Sequence, residues 1–169
     1  MATNRKATLF MVLVALVKVL LHRYTGQEEI LIGTPISGRN HPDLDHQIGF
    51  YLNMLVLLDA VTPDQSFAEF LGEVRQTALE AYEHDLYPFD RLVEELQLER
   101  DLSRSPVFDV MVILQNAGPL SLTFEDVQVK PLFVETGSSK CDLTFDFARD
   151  SADGAREILV GIRYNTDLF

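Results

Sequence analysis

A mixed α/β sandwich, helices packed on a sheet of short strands, is the fold class that three features of this sequence predict. The first is the order of its hydrophobic periods: one long helical period, two strand-like runs, two more helical periods, then several strand-like runs. The second is composition, 47% hydrophobic and 24% charged over 169 residues, enough for one core and too apolar for disorder. The third is the lack of an internal repeat or low-complexity linker, so one layered body accounts for the whole chain.

From Thr8 to Tyr24 no glycine or proline intervenes, and Gly26 stands where a helix end wants a left-handed residue. This helix is apolar on nearly every face, so it needs cover all round, part of which this chain is not expected to supply. Glu29 to Ser37 reads as a strand that runs into a polar loop, Gly38 to His46, rich in turn formers. Leu52 to Asp59 is the second strand, and its near-continuous apolar character predicts a central position. Ser66 with Glu69 forms a capping box, and Phe67, Phe70, Leu71, Val74, Ala78, Leu79 and Tyr82 follow at helical spacing to about His84.

Pro88 suits the first turn of a shorter helix, with Leu92, Val93 and Leu96 inward and Glu94, Glu95 and Glu99 in water. Val107 to Gln115 is again strand-like and is broken by Asn116-Ala117-Gly118-Pro119, after which Leu120 to Val134 alternates weakly. Leu143 to Ala148 and Ile158 to Tyr164 flank Asp153-Gly154 and read as a hairpin.

Charge and composition exclude several function classes. A net charge of −12 would repel a phosphate backbone, so nucleic acid is not an expected partner. Ten acidic residues lie between Glu69 and Asp101 and give the middle of the chain a negative, solvated face. Arg5-Lys6 followed by Ala7 to Val17 imitates a secretory signal, but no small-residue cleavage site follows. Lys18 also cuts that run short of the roughly 18 to 20 residues that span a bilayer, so no membrane segment is expected. The single cysteine, Cys141, cannot form an intramolecular disulfide, and the four histidines lack metal-site spacing. A reducing, cytoplasmic setting and no bound metal are the expectations.

Familiar catalytic patterns are missing. There is no G-x-S-x-G elbow, no phosphate-cradling glycine loop, and the pairs Glu94-Glu95 and Glu80-Glu83 sit on wet helix faces. His84, between Glu83 and Asp85, reads as a helix-end histidine favoured by the dipole, with a catalytic base as the alternative. Arg39 reads as a loop cation, or as an arginine that holds a carboxylate in a bidentate pair.

Several ordered runs carry a further resemblance: Ile48-Gly49-Phe50-Tyr51-Leu52-Asn53, His84 to Leu96 with Pro88-Phe89, Arg100-Asp101-Leu102-Ser103-Arg104-Ser105-Pro106, and Tyr164-Asn165-Thr166-Asp167-Leu168-Phe169. Together they resemble the later motifs of the condensation domains of nonribosomal peptide synthetases. That resemblance implies one lobe of a chloramphenicol acetyltransferase-like two-layer sandwich, the acceptor-side, C-terminal half of a domain that joins carrier-bound aminoacyl or peptidyl thioesters. The family's His-His-x-x-x-Asp-Gly motif belongs to the other lobe and does not occur here, so no catalytic residue is assigned to this chain, which is expected to be inactive alone.

By the same resemblance Arg39, Asn53, His84, Asn165 and Asp167 support the active site or the interface between lobes, and Gly49, Pro88, Phe89, Arg104 and Pro106 are structural. Arg39 would pair with the aspartate of the missing motif and, without it, stand unpaired and solvated or bind a substitute anion. Asp85-Leu86 stands where the family commonly has Gln-Asp, and Met54 replaces a frequent threonine. The implied partners are the upstream lobe, donor and acceptor carrier proteins with their phosphopantetheine, and an adenylation domain; no cofactor is expected on this chain. An epimerisation, starter or heterocyclisation domain and a carrier-docking module are the alternatives. The stretch from Asn116 to Val134 would cross to the other lobe and, uncovered, either be disordered or leave an open edge prone to self-association.

Overall fold

A computed structural model describes residues 6–39, 41–44, 46–98, 104–115, 137, 139–150 and 157–169. Helix α1 (Leu9–Thr25) begins at Thr8, whose hydroxyl accepts the Met11 N–H, and ends at Gly26 with φ 71°. It leads into β1 (Glu29–Ile36), a short 3-10 turn at Pro42–Leu44, and β2 (Asn53–Ala60). Helix α2 (Phe67–Glu83) starts at the Ser66–Glu69 capping box and closes on His84. Then come α3 (Phe89–Leu96), β3 (Val110–Gln115), β4 (Leu143–Asp150) and β5 (Glu157–Tyr164).

The five strands form one mixed sheet in the order β2-β1-β3-β4-β5. The outer pairs β1–β2 and β4–β5 are antiparallel, while β1–β3 and β3–β4 are parallel. Alternate residues of β1 and β2 point to the face on which α1 and α2 lie. There Ile32, opposite Leu57, joins Val14, Val17, Phe70, Val74, Val112 and Phe145 in the core. Helices α1 and α2 on one face of a mixed sheet agree with the predicted class.

Three expectations are corrected. Strand β2 is an edge strand, not a central one: Leu55, Leu57 and Asp59 are buried, but Leu58 on the opposite face is 50% exposed. An apolar run marks burial on both faces only when both are covered. Strand β3 starts at Val110, because Phe108 leaves the ladder to pack over Gly33, where a Cβ would collide with its ring. Helix α3 buries no residue completely, and Leu96 is exposed rather than inward. The break at 116–119, the weak alternation to 134 and its open edge, and the turn at 153–154 lie outside the described residues.

Among the described residues, no helix is long and apolar enough to cross a membrane, and no cluster of three metal-ligating side chains occurs.

Candidate functional site

The sheet has two ends, and the predicted residues divide between them. At the carboxyl ends of the parallel strands β1 and β3 lie Arg39, Gly49, Asn53 and the α2–α3 turn with His84, Pro88 and Phe89. At the opposite end, where β3 and β4 start and β5 finishes, lie Arg104, Pro106, Asn165 and Asp167. The structure brings the first group together and keeps the second apart from it.

Asn53 is the organising side chain of the first end. Its amide nitrogen donates to the Asp85 and Tyr87 carbonyls, each at 2.8 Å, and its oxygen accepts the Phe89 N–H at 3.1 Å. Helix α3 has no side-chain cap of its own, since Pro88 precedes its first residue, so the first residue of β2 caps it from across the fold. One planar amide thus uses both donors and its acceptor on backbone groups that the Tyr87-Pro88-Phe89 turn exposes. His84 is the C-cap of α2, with an exposed ring beside this turn. Phe89 continues to the Phe108 ring, 5.8 Å between centroids, and ties the turn to the start of β3.

The expectation for Arg39 is corrected here. The side chain is half-buried, not solvated: its guanidinium donates to the Leu44 carbonyl and to the Gly49 carbonyl at 3.4 Å, and lies 4.5 Å from the centre of the Tyr51 ring. Backbone carbonyls and a π face satisfy a cation that has no carboxylate partner among the described residues. Gly49 serves this arrangement, because a Cβ there would stand 2.8 Å from the Tyr51 ring. Gly38 has φ 62° and passes so close to the Tyr51 carbonyl that any side chain would overlap it. In the same loop Ile48 is fully exposed and Phe50 nearly so.

An open cavity of 790 Å³ adjoins this end, walled by Phe10, Pro35, Leu52 and Ile113 with Gln115 and Arg149 among its polar groups. Sequence reasoning did not single out this cavity, because the elements that wall it are distant in sequence.

The other end is a brace. Arg104 pairs with Asp109 at 2.9 Å and reaches Asp142 at 3.7 Å, joining the starts of β3 and β4, with Pro106 exposed nearby. Asn165 accepts the Asp167 N–H at 3.1 Å in a local turn after β5. Cys141 is buried, and burial, with Asp142 and Asp109, pushes its thiol up, away from the thiolate a nucleophile requires.

Comparison with known proteins agrees with this architecture. The family described as "Condensation domain" matches residues 1–169. Gramicidin S synthase 2 of Brevibacillus brevis is 42% identical over 168 residues, 99% of this chain and 4% of that protein. A solved condensation domain from the Monacolin K polyketide synthase superposes with a TM-score of 0.84 at 21% identity, over 99% of this chain and 38% of the other. The X-domain from teicoplanin biosynthesis, solved in complex with OxyB, gives a TM-score of 0.78 at 25% identity, over 95% of this chain and 35% of the other. This chain therefore spans a few per cent of the curated relative and about a third of the solved domains. Matched along its whole length and built on the same sheet, it belongs to the condensation-domain family.

Proposed function

We propose that this chain is the acceptor-side, C-terminal lobe of a peptide-bond-forming condensation domain and that it supports a catalytic centre whose histidines lie on the other lobe. The observation that carries this reading is the full-length family match in a chain with only four histidines, no two adjacent. In the proposed reaction the amine of the acceptor aminoacyl thioester attacks the donor thioester carbonyl. The amide C–N bond forms, the C–S bond breaks, and the amine proton leaves with the released thiol. Both phosphopantetheine arms belong to carrier proteins and act as substrate, and no residue of this chain is assigned to hold them. The upstream lobe and a neighbouring adenylation domain complete the proposed assembly in a cytoplasmic setting.

The Arg39 end is the proposed contact with the upstream lobe. Exposed Ile48, Phe50 and Leu52 share a loop with Gly49 and Tyr51, which help to orient the guanidinium together with the Leu44 carbonyl. An oriented guanidinium loses little freedom when it accepts a carboxylate from another segment. In a domain that contains both lobes, Arg39→Lys is expected to lower single-turnover peptide formation by about tenfold, because the ammonium keeps the charge but not the planar fork. Undiminished turnover would remove Arg39 from this role.

The X-domain was solved in complex with OxyB, and the likeness to it supports a second reading, a docking surface on the same fold. The acidic face disfavours acidic carrier proteins as its partner.

A further inference from the structure

We propose that this chain pairs with a second copy of itself along the outer edge of β5, as an antiparallel ladder centred on Val160. All eight residues of β5 are exposed, and its one strand neighbour among the described residues is β4. The Asn165 N–H donates to the Asp142 carbonyl at 3.0 Å, and this bond shows which groups of the strand β4 leaves unused among the described residues. Bonding alternates along an antiparallel pair. In the observed register the odd-numbered residues of β5 turn their N–H and C=O towards β4, and Ile158, Val160, Ile162 and Tyr164 turn theirs outward.

An unpaired edge is a template for another strand, and natural edges are blunted by proline, lysine or bulges. This edge has no proline or lysine, and its register with β4 runs unbroken from Glu157 to Tyr164. Two-fold pairing about Val160 sets Val160 opposite Val160 of the second copy, Ile158 opposite Ile162, and Glu157 opposite Arg163. Outward backbone groups then meet outward backbone groups. Apolar side chains meet apolar ones, and each end closes with opposite charges.

Charge selects this register. A shift of two residues one way sets Glu157 opposite Asn165 and Leu159 opposite Arg163, and the other way sets Glu157 opposite Gly161. The chain as a whole carries −12, which opposes association, but β5 itself carries one Glu and one Arg and is neutral. Val160 and Ile162, each 54% exposed, supply apolar surface that pairing shields from water.

Sedimentation equilibrium of the whole chain across micromolar to millimolar concentrations tests this. The expected result is a concentration-dependent dimer, weakened at least about 100-fold by Val160→Lys, which brings two ammonium groups together at the axis. Glu157→Arg and Arg163→Glu should each weaken it by about tenfold, since each substitution acts twice per dimer, and the double variant should restore it. Arg163 also lies 3.4 Å from Asp146, a contact whose loss registers in the melting of the monomer rather than in the dimer constant. A chain that stays monomeric, a dimer indifferent to Val160→Lys, or a double variant no tighter than the single ones would overturn the proposal. Should Val160→Lys fail to fold, the charge exchange decides alone, because restoration requires folded protein.

Discussion

Lys18→Met is expected to destabilise the chain by about 3–5 kcal/mol, the usual cost of removing one partner from a buried ion pair. Lys18 lies in the middle of α1 with no exposed surface, and its Nζ donates to the Leu57 carbonyl at 2.8 Å and to the Asp59 carboxylate. The other Asp59 oxygen accepts the Thr77 hydroxyl at 2.6 Å, so one polar chain crosses α1, β2 and α2 inside the core. Burial pulls the Lys18 ammonium below its ordinary range, and the attraction of Asp59 works against that pull. Pairing offsets part of the desolvation cost while both charges are present, but a lone buried carboxylate has no such offset.

Asp59→Ala should therefore be as damaging as Lys18→Met, and Lys18→Met with Asp59→Leu should recover most of the loss. Urea unfolding midpoints of the three variants check this. Single variants as stable as the parent would show that the pair contributes nothing to the fold.

Asn53→Ala is the second large effect, with an expected loss of about 2–3 kcal/mol for three hydrogen bonds to backbone at roughly 1 kcal/mol each. Asn53→Asp separates amide chemistry from shape. A carboxylate can accept the Phe89 N–H but cannot donate to the Asp85 and Tyr87 carbonyls, and it sets negative charge against them. The aspartate variant should be no better than the alanine one despite its matching size. The α2–α3 turn should also exchange its amides faster in both variants, read by hydrogen exchange at Tyr87 and Phe89. Slow exchange in Asn53→Asp would mean that packing, and not the amide, holds the turn.

Local signals were the legible part of this fold. The Ser66–Glu69 box, the Gly26 terminus and the final hairpin are written in residues a few positions apart, and the structure places α1, α2, β4 and β5 accordingly. Lys18 reads in sequence only as an interruption of an apolar run. Its meaning depends on Asp59, a lone charge in an apolar strand 41 positions later, and such pairing emerges only from the way α1 crosses the sheet. The edge position of β2 was equally hidden, because the sequence gives a strand's polarity and not its neighbours. At the candidate site the family resemblance pointed to Arg39 and Asn53. What could not be read was that Arg39 is already satisfied by carbonyls and Tyr51, or that Asn165 and Asp167 stand at the far end of the sheet.

A supporting lobe, as proposed, has its catalytic histidines on another segment. Single-turnover mass spectrometry with loaded donor and acceptor carrier proteins tests it most directly. This chain is compared with a polypeptide extended upstream through a His-His-x-x-x-Asp-Gly motif. Peptide product is expected from the extended polypeptide and none from this chain. Product from this chain alone would contradict it and would move the exposed His84, beside the turn that Asn53 holds, into the catalytic role.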